Sequence, residues 1–525
     1  MSDLPPWSAA ALIGVPLLVL VISLFVREGK RLPPGARPLP LIGNVLDMPR
    51  GHLGRGLADL SAKHVADKQT GDIMYMNILG KHTVVLKSYE SARELLHKRS
   101  SIYSDRPRSI MGELAGMNRL LAMRAYGTEW RDQRQAFHQT MNIDVAARYH
   151  PIGTAAMRKF LFSILEGAGD VVTKMKLCGA LLMVRYLAAF DAGVLKIFYG
   201  LEVTDSDDQF HAMIERAVHV GEATLTPGRF SVEVLPILLY LPSWFPGGGF
   251  KRFAADSKKE VAHIVDTLYD AAKERKDTDT GRESIIGQIL DRASAGSGQV
   301  DPEVEAVCKD VGFTGYGGGT VTTNTSLSAF FLAMAMNPNV QRKAQAELDA
   351  VVGPRRLPDF ADRDSLPYIN ALVKELYRWH TVTPFGVPHL SVADDEYQGY
   401  FIPSGSTILP NIWSMSRDLT KYPDPERFLP ERFLDTSGQL DLSIGDPEDF
   451  IFGFGRRVCV GRHSADDMVF MLCPVDERGN PVKMVHGDGS NGVIAHVEVY
   501  DYVLKPRSAN MGNLIRQSVA QHTTE

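Results

Sequence analysis

The most constraining feature of the sequence is the run Phe452 to Gly461, which reads Phe-Gly-Phe-Gly-Arg-Arg-Val-Cys-Val-Gly. It sets one cysteine, Cys459, among glycines and two arginines, directly before a predicted helix. A cysteine binds metal or attacks a substrate only as a thiolate, and nearby arginines and the start of a helix both lower a thiol pKa. The glycines let backbone N–H groups approach the sulfur. The alternative for an isolated cysteine is a buried structural residue in a turn.

The spacing Phe-x-x-Gly-x-Arg-x-Cys-x-Gly resembles the haem-binding loop of the cytochrome P450 family. The resemblance implies haem b as the cofactor, with Cys459 as the axial thiolate ligand of the iron. It extends from the N-terminal segment to Lys505-Pro506-Arg507-Ser508 and is strongest to fungal microsomal members. The implied fold is mainly α with a small β portion: a single cytochrome P450-like domain after an N-terminal transmembrane helix.

Length, charge and cysteine usage exclude other classes of protein. The chain has 525 residues, with 57 Lys and Arg against 62 Asp and Glu, so its formal net charge is −5. It has no basic excess and no long basic block, which argues against a nucleic-acid partner. The four cysteines form no Cys-x-x-Cys pair. We therefore predict neither a zinc site nor a disulfide framework, as is typical of a reducing compartment.

The N-terminal segment, residues 1–26, is predicted to anchor the chain in a membrane. Trp7 to Val26 is a run of twenty residues without a charge. As a helix of about 30 Å it is long enough to cross a bilayer. Arg27, Lys30 and Arg31 follow it directly, and the positive-inside rule places the rest of the chain in the cytosol. We expect a single-pass protein of the endoplasmic reticulum membrane.

The anchor is followed by a linker, residues 27–44, and by a catalytic domain, residues 45–525. Four prolines between Leu32 and Asn44 predict a stiff, extended connector that is not helical. The linker would hold the catalytic domain at a set angle to the membrane.

Hydrophobic periodicity predicts mostly helix. Strands are expected at Ile73–Asn77 and Thr83–Leu86 around the turn Leu79-Gly80, and a second hairpin around Pro403-Ser404-Gly405. Longer helical patterns cover Ser91–Lys98, Phe210–Ala223, Asp256–Arg275, Asn339–Val352 and Leu366–His380. Strands and helices do not alternate, which argues against a doubly wound sheet.

Three charged residues match a structural network of the family. Glu375 and Arg378 are three residues apart on a predicted helix and therefore share a face. Such pairs are common on surfaces and worth little. The resemblance joins them to Arg432, in Pro430-Glu431-Arg432-Phe433, and implies a buried network that fixes the loop presenting Cys459.

Other residues are candidates for contacts with the haem propionates. Trp130 and Arg134 are four residues apart, so the guanidinium and the indole lie on one face of a helix. A solvent-facing helix surface is the alternative. Their place in family order implies that Arg134 meets a propionate while Trp130 packs nearby. Arg457 is a second candidate and His389 a third.

The segment Gly312 to Ala335 is the expected oxygen-side helix, and it holds three consecutive glycines. Each glycine costs a helix about 1 kcal/mol relative to alanine, so the glycines indicate close approach or a bulge. The resemblance places Thr322 at the catalytic threonine, whose hydroxyl would hydrogen-bond bound dioxygen. It places Val321 where the family has an acid. Valine cannot relay a proton. Three alternatives are open: water relays the proton, proton delivery is impaired, or the reaction does not need that proton.

Two segments differ in length from the family pattern. Gly461 to Leu472 is a short apolar helix that Cys473-Pro474 would end, two or three turns earlier than expected. Val171 to Ala189 is additional apolar sequence. Divergence and an incorrect gene model are both compatible with these differences.

The resemblance implies a monooxygenase that inserts one oxygen atom from dioxygen into a hydrophobic small molecule. A fungal terpenoid, polyketide or indole pathway would supply the substrate. The resemblance implies that electrons come from NADPH through a separate membrane-bound protein, NADPH-cytochrome P450 reductase. Val321 leaves open a haem-thiolate isomerase or dehydratase that does not use dioxygen. The shortened helix leaves open an inactive membrane protein without haem.

Overall fold

The computed structural model describes residues 31–49, 51–64, 71–167, 191–202, 209–226, 228–294, 300–472, 494–496 and 509–522. The predicted anchor, the apolar segment 171–189 and the run 505–508 lie outside the described residues. Among those described, no helix has the length and hydropathy needed to cross a membrane.

Most described residues are helical. The α-helices are α1 Leu53–His64, α2 Tyr89–Ala92, α3 Ser100–Tyr103, α4 Ile110–Leu114, α5 Thr128–Met141, α6 Ile143–Ala146, α7 His150–Gly167, α8 Gln209–Leu225, α9 Phe250–Glu274, α10 Asp279–Glu283, α11 Ile285–Ser294, α12 Pro302–Met336, α13 Pro338–Val351, α14 Pro367–Trp379, α15 Ile412–Met415, α16 Glu448–Ile451, α17 Arg462–Leu472 and α18 Ala509–His522. The predicted long helices α8, α9, α13 and α14 are confirmed. The pattern over 91–98 divides into the end of α2 and a π-helical turn, Arg93–Lys98.

The small β portion comprises two sheets. The strands are β1 Ile73–Ile78, β2 Lys81–Leu86, β3 His389–Leu390, β4 Asp395–Tyr397, β5 Tyr400–Ile402 and β6 Thr407–Pro410. The larger sheet has the order β1-β2-β6-β3, in which β2 and β6 run parallel; β4 and β5 form the smaller sheet. The first predicted hairpin is confirmed, because β1 and β2 pair antiparallel across Leu79 and Gly80, both at positive φ.

The second predicted hairpin is wrong. β5 and β6 flank the turn at Gly405 but do not pair, because the turn sends the chain from one sheet to the other. The hairpin lies one strand earlier, where β4 pairs with β5 across Gln398 and Gly399. Both of these residues have positive φ, at 52° and 75°. Two adjacent residues of that kind suit a tight two-residue turn.

The described part of the proline-rich linker packs onto the catalytic domain. Residues 31–38 have no regular secondary structure. Pro34 O accepts a hydrogen bond of 2.8 Å from Tyr75 N of β1, and Arg31 O accepts one of 2.7 Å from Phe401 N of β5. Two strands therefore fix the path by which the chain enters the domain.

Helix α12 is the central element and is longer than predicted. It begins at Pro302, ten residues before Gly312, because Asp301 caps it by accepting from Glu303 N at 2.9 Å. A capping aspartate followed by proline is a typical helix start. Its C-terminal half, Leu327–Met334, is buried in the main core with α14. The three consecutive glycines lie near the middle of the helix and do not interrupt it.

Candidate active site

A mostly apolar cavity of about 360 Å³ lies between the middle of α12 and the loop that carries Cys459. Six of the predicted site residues line it: Trp130, Arg134, Thr322, His389, Arg457 and Cys459. The three predicted network residues, Glu375, Arg378 and Arg432, are not among its lining residues.

The cysteine loop is held by its own backbone and by α5. Cys459 N donates to Phe452 O at 2.8 Å, closing the loop over the short 3₁₀ turn Gly455–Arg457. Gly455 has a φ of +53°, and a Cβ there would lie 2.3 Å from Leu96 O. A side chain at this position is thus excluded twice, by conformation and by contact. Arg134 Nη1 donates to Val458 O at 2.5 Å, which ties the residue before the cysteine to α5.

The electrostatics of the thiol differ from the prediction. Cys459 has accessible surface, but this surface faces the cavity, and the surrounding protein raises its pKa above the ordinary value. A bond from Gly461 N–H and the charges of Arg134 and Arg462 act in the opposite direction without reversing it. The two arginines of the loop were expected to lower this pKa. Instead, Arg457 donates to Ser104 O and Arg456 donates to Tyr126 OH.

One wall of the cavity collects buried cationic side chains. Arg457 donates to Ser104 O at 2.6 Å and to Leu121 O at 3.2 Å, and its Cζ lies 4.6 Å from the ring centre of Trp130. Burial lowers the pKa of Arg457 to about 10, and the charge of Arg134 adds to this. Within the part of the chain that the structure describes, the buried atoms Arg457 Nη2 and Trp130 Nε1 have no hydrogen-bond partner.

Arg106 belongs to the same wall and was not predicted. Its guanidinium donates to three backbone carbonyl oxygens: Ala122 O at 2.8 Å, Val387 O at 2.9 Å and Pro388 O at 2.8 Å. Burial, and then the nearby charge of Arg457, lower its pKa far below the ordinary value. The only sequence signal was a charged residue before a proline in Ser104-Asp105-Arg106-Pro107, which is too common to select a site.

His389 lies beside these arginines and is 3 % exposed. Its Nδ1 is 2.7 Å from Tyr103 O. A carbonyl only accepts, so Nδ1 carries a hydrogen. Burial and the charges of Arg106 and Arg457 lower the pKa of His389 well below its ordinary value.

The opposite wall is the glycine-rich part of α12. An added Cβ at Gly315 would lie 1.9 Å from the ring of Phe198, whereas at Gly318 it would meet none of the described residues within 4 Å. Gly315 thus permits close packing against residues 191–199, and Gly318 leaves open space in the cavity. Thr322, one turn further on, donates to Gly318 O at 2.6 Å, so its oxygen remains able to accept a hydrogen bond.

Val321 is half-buried and does not line the cavity. Its carbonyl accepts a hydrogen bond of 2.8 Å from Thr325 Oγ1. Its side chain supplies no proton donor or acceptor beside Thr322.

The three network residues meet in the interior. Both oxygens of Glu375 accept from Arg378 at 2.7 Å, and Arg432 Nε lies 3.1 Å from Glu375 Oε2. Glu375 Oε1 also accepts from Leu429 N at 2.8 Å. The side chains of Glu375 and Arg378 are fully buried. The same helix, α14, reaches the cysteine loop through Tyr377, whose ring centre lies 5.6 Å from that of Phe452.

Helix α17 follows the cysteine loop and runs from Arg462 to Leu472. Its acidic residues Asp466 and Asp467 both pair with Arg363. Asp467 also lies 2.9 Å from His150 Nε2 of α7. The eleven-residue helix is thus held to its neighbours by ionic contacts, and residues 473–474, which were predicted to end it, lie outside the described residues.

The fold and site define a mainly helical protein whose cavity brings one cysteine together with a wall of buried cationic side chains, and comparison with known proteins gives its family. The family model described as Cytochrome P450 matches residues 33–474. Cytochrome P450 monooxygenase COX2 of Coprinopsis cinerea is 36 % identical over 92 % of this chain and 91 % of its own length. Cytochrome P450 monooxygenase 208 of Postia placenta is 35 % identical over 97 % of this chain and 98 % of its own length. The chain belongs to the cytochrome P450 family and is a haem-thiolate monooxygenase.

The residues of the cavity fit the haem of this family. Among the described residues, Cys459 is the only cysteine that lines the cavity. A buried cation is costly without a counter-charge, and Arg106, Arg134 and Arg457 all have pKa values lowered by burial. The propionates of haem b would supply that counter-charge, and Arg457 Nη2 and Trp130 Nε1 are donors that have no partner among the described residues. When bound, haem with a thiolate ligand supplies the electron density that favours cleavage of the O–O bond.

Proposed function

We propose that the protein inserts one oxygen atom from dioxygen into a hydrophobic small molecule of a fungal secondary-metabolite pathway. Cys459 is the axial ligand, and Arg106, Trp130, Arg134, His389 and Arg457 bind the haem propionates. Thr322 accepts a hydrogen bond from the reacting group in the cavity. The observation that carries the proposal is the single cavity in which Cys459, the cationic wall and Thr322 meet.

The cavity and the relatives both support this proposal. Apolar side chains form most of the lining, which favours a ligand with few polar groups. The matched proteins from Coprinopsis, Postia and Ampulloclitocybe are all fungal monooxygenases.

The reduced carbon monoxide spectrum of the purified protein tests the thiolate site. We expect the band typical of a haem-thiolate protein in the wild type and its loss in Cys459→Ala. The variant Cys308→Ala is a matched control, because Cys308 is buried outside the cavity. A wild type without the band, or a C459A variant that keeps it, would refute the assignment.

A second candidate function is suggested by Val321. Without an acid beside Thr322, a haem-thiolate isomerase or dehydratase that needs no dioxygen is the alternative. Turnover under strict anaerobiosis without NADPH would favour it. Under the monooxygenase proposal there is no such turnover, and Val321→Asp raises the ratio of product to hydrogen peroxide. Val321→Asn, of similar size but without an acid, is the control.

We further propose that the catalytic domain lies on the cytosolic face of the endoplasmic reticulum membrane, anchored by residues 1–26. There it would receive electrons from NADPH-cytochrome P450 reductase. An exposed apolar surface supports this. It consists of Leu39, Leu41, Leu46, Leu235, Ile237, Tyr240, Trp244 and Phe245, of which Tyr240 and Trp244 are 85 % and 78 % exposed. Its two halves flank the β1–β2 turn: Gly43 pairs with Ile78, and Lys81 Nζ donates to Glu233 O at 3.1 Å. An exposed apolar surface of this kind suits contact with the lipid surface.

A further inference from the structure

The cavity wall formed by residues 380–383 is backed by a short segment, residues 494–496. Ala495 N donates to Val382 O at 2.8 Å, and His380 Nε2 lies 2.8 Å from Ala495 O. Ala495 is 2 % exposed. His380, Thr381, Val382 and Thr383 all line the cavity. A displacement of Ala495 therefore displaces a wall against which a bound ligand packs.

The next residue, His496, bridges two helices. Its Nε2 lies 2.8 Å from Glu222 Oε1 of α8, and its Nδ1 lies 3.4 Å from Thr325 Oγ1 of α12. Thr325 is one turn from Thr322, so the imidazole reaches the helix that forms the opposite wall. The segment behind the 380–383 wall is thus tied to α8 and α12 through one side chain.

The two contacts require both ring nitrogens to donate. The carboxylate of Glu222 only accepts, so Nε2 carries a hydrogen. Thr325 Oγ1 gives its single hydrogen to Val321 O at 2.8 Å. It can then only accept from Nδ1, which must carry a hydrogen as well. Only the doubly protonated, positively charged imidazole satisfies both contacts.

We propose that His496 is a positioning residue that holds the 380–383 wall of the cavity against α8 and α12 most firmly when its imidazole is doubly protonated, and less firmly when the imidazole is neutral, because a neutral ring has one hydrogen for the two contacts. The proposal rests on the proposed function in one respect, that the cavity binds the substrate. Ligand affinity should therefore be higher at acid pH, which favours a charged histidine, than at alkaline pH.

The charged and titratable groups around His496 agree with this direction. Glu222 and His219 lie on α8. His380 follows α14, and the charge of Arg417 also lowers the pKa of His380. The hydrogen bond to His496 is the main cause of the lowered pKa of Glu222, which burial opposes. Burial lowers the pKa of His380 to about 4, so this neighbour stays neutral and keeps its bond to Ala495 throughout.

Hydrogen exchange of the haem-loaded protein tests the proposal without substrate. Peptides spanning residues 380–383 are compared at pH 6 and pH 8 between the wild type and His496→Gln, which cannot take up a second proton. We expect about two- to fivefold stronger protection in the wild type at pH 6, as for one half-exposed ionic contact, and equal protection at pH 8. If the ratio of protection in the wild type to protection in His496→Gln is the same at both pH values, His496 has a purely structural role and the proposal is overturned.

Binding of 4-phenylimidazole to the ferric protein, followed by absorbance, gives a second measurement. The titration of the probe itself is common to all variants and cancels in the ratio of affinities. His496→Gln and Glu222→Gln should both flatten the pH dependence of the wild type, and His219→Gln, the matched control on α8, should keep it. An unchanged pH dependence in the first two variants contradicts the proposal. Failure of the proposed function would instead be seen as a missing carbon monoxide band in the wild type.

Discussion

At the scale of single residues, the site depends on charges that are buried rather than exposed. Arg106 and Arg457 direct their donors to backbone carbonyls, and both have lowered pKa values because the protein around them replaces water. A buried guanidinium is costly without a counter-charge. Under the proposed function, the haem propionates supply that counter-charge to both residues.

Arg457→Met should weaken haem retention and lower stability by about 1–3 kcal/mol, because two buried carbonyls lose their donor. The measurement is haem content per chain after gel filtration, together with denaturant unfolding of the loaded protein. Arg456→Met is the control in the adjacent position: its partner is the hydroxyl of Tyr126, and the contact is exposed. We expect a change within about 0.5 kcal/mol there. Equal effects of the two substitutions would argue against a special role for Arg457.

At the scale of elements, α14 is the support on which the cysteine loop rests. Its buried Glu375 holds Arg378 and Arg432, while its Tyr377 packs against Phe452 at the start of the loop. Its Lys374 pairs with Asp446 and Glu448 beside α16. One helix thus fixes the loop from several sides.

Glu375→Gln should cost about 3–5 kcal/mol of unfolding free energy, because two buried guanidinium groups lose their counter-charge. Chemical denaturation of the loaded protein measures it. Glu113→Gln is the matched control: it breaks an exposed pair with Arg108, and we expect a cost below about 1 kcal/mol. A cost for E375Q as small as that of E113Q would show that the network is not needed for stability.

Glu448 should make stability depend on pH. Burial, followed by the charge of Asp466, raises its pKa from 4.5 to about 7. The folded state then binds this proton more tightly than the unfolded state, so the stabilisation is present at low pH and is lost as the pH rises from about 4.5 to about 7. Between pH 5 and 7.5, wild type should lose on the order of 1–3 kcal/mol relative to Glu448→Gln. Parallel stability curves for the two proteins would contradict this.

Much of the fold could be predicted from the sequence at the level of single helices and strands. The β1–β2 hairpin and the long helices follow from periodicity and turn residues, which are local properties. The second hairpin was misplaced because Gly405 also suits a turn, and sequence does not tell which sheet receives the next strand. Site residues within recognisable spacings, such as Cys459, could be found. Arg106 could not, because its role arises from carbonyls and arginines that only tertiary packing brings together.

At the scale of the whole molecule, the exposed apolar surface and the N-terminal run are proposed to act together on a membrane. A protein lacking residues 1–26 should shift from the membrane pellet towards the supernatant but still associate with lipid vesicles. Adding Tyr240→Ser and Trp244→Ser should remove most of this residual association, since large exposed apolar groups contribute to burial at an interface. Co-sedimentation with vesicles measures both steps. Full release by the truncation alone would exclude a contribution from the surface.

The open space at Gly318 has a consequence for how such an enzyme changes its selectivity. A methyl group there would meet no atom of the described residues within 4 Å, and it would extend into the cavity that Gly318 lines. Alanine also suits a helix better than glycine by about 1 kcal/mol. Gly318 is therefore a site where evolution or a protein engineer can narrow the range of accepted ligands while making the scaffold more robust, without the usual conflict between new activity and stability.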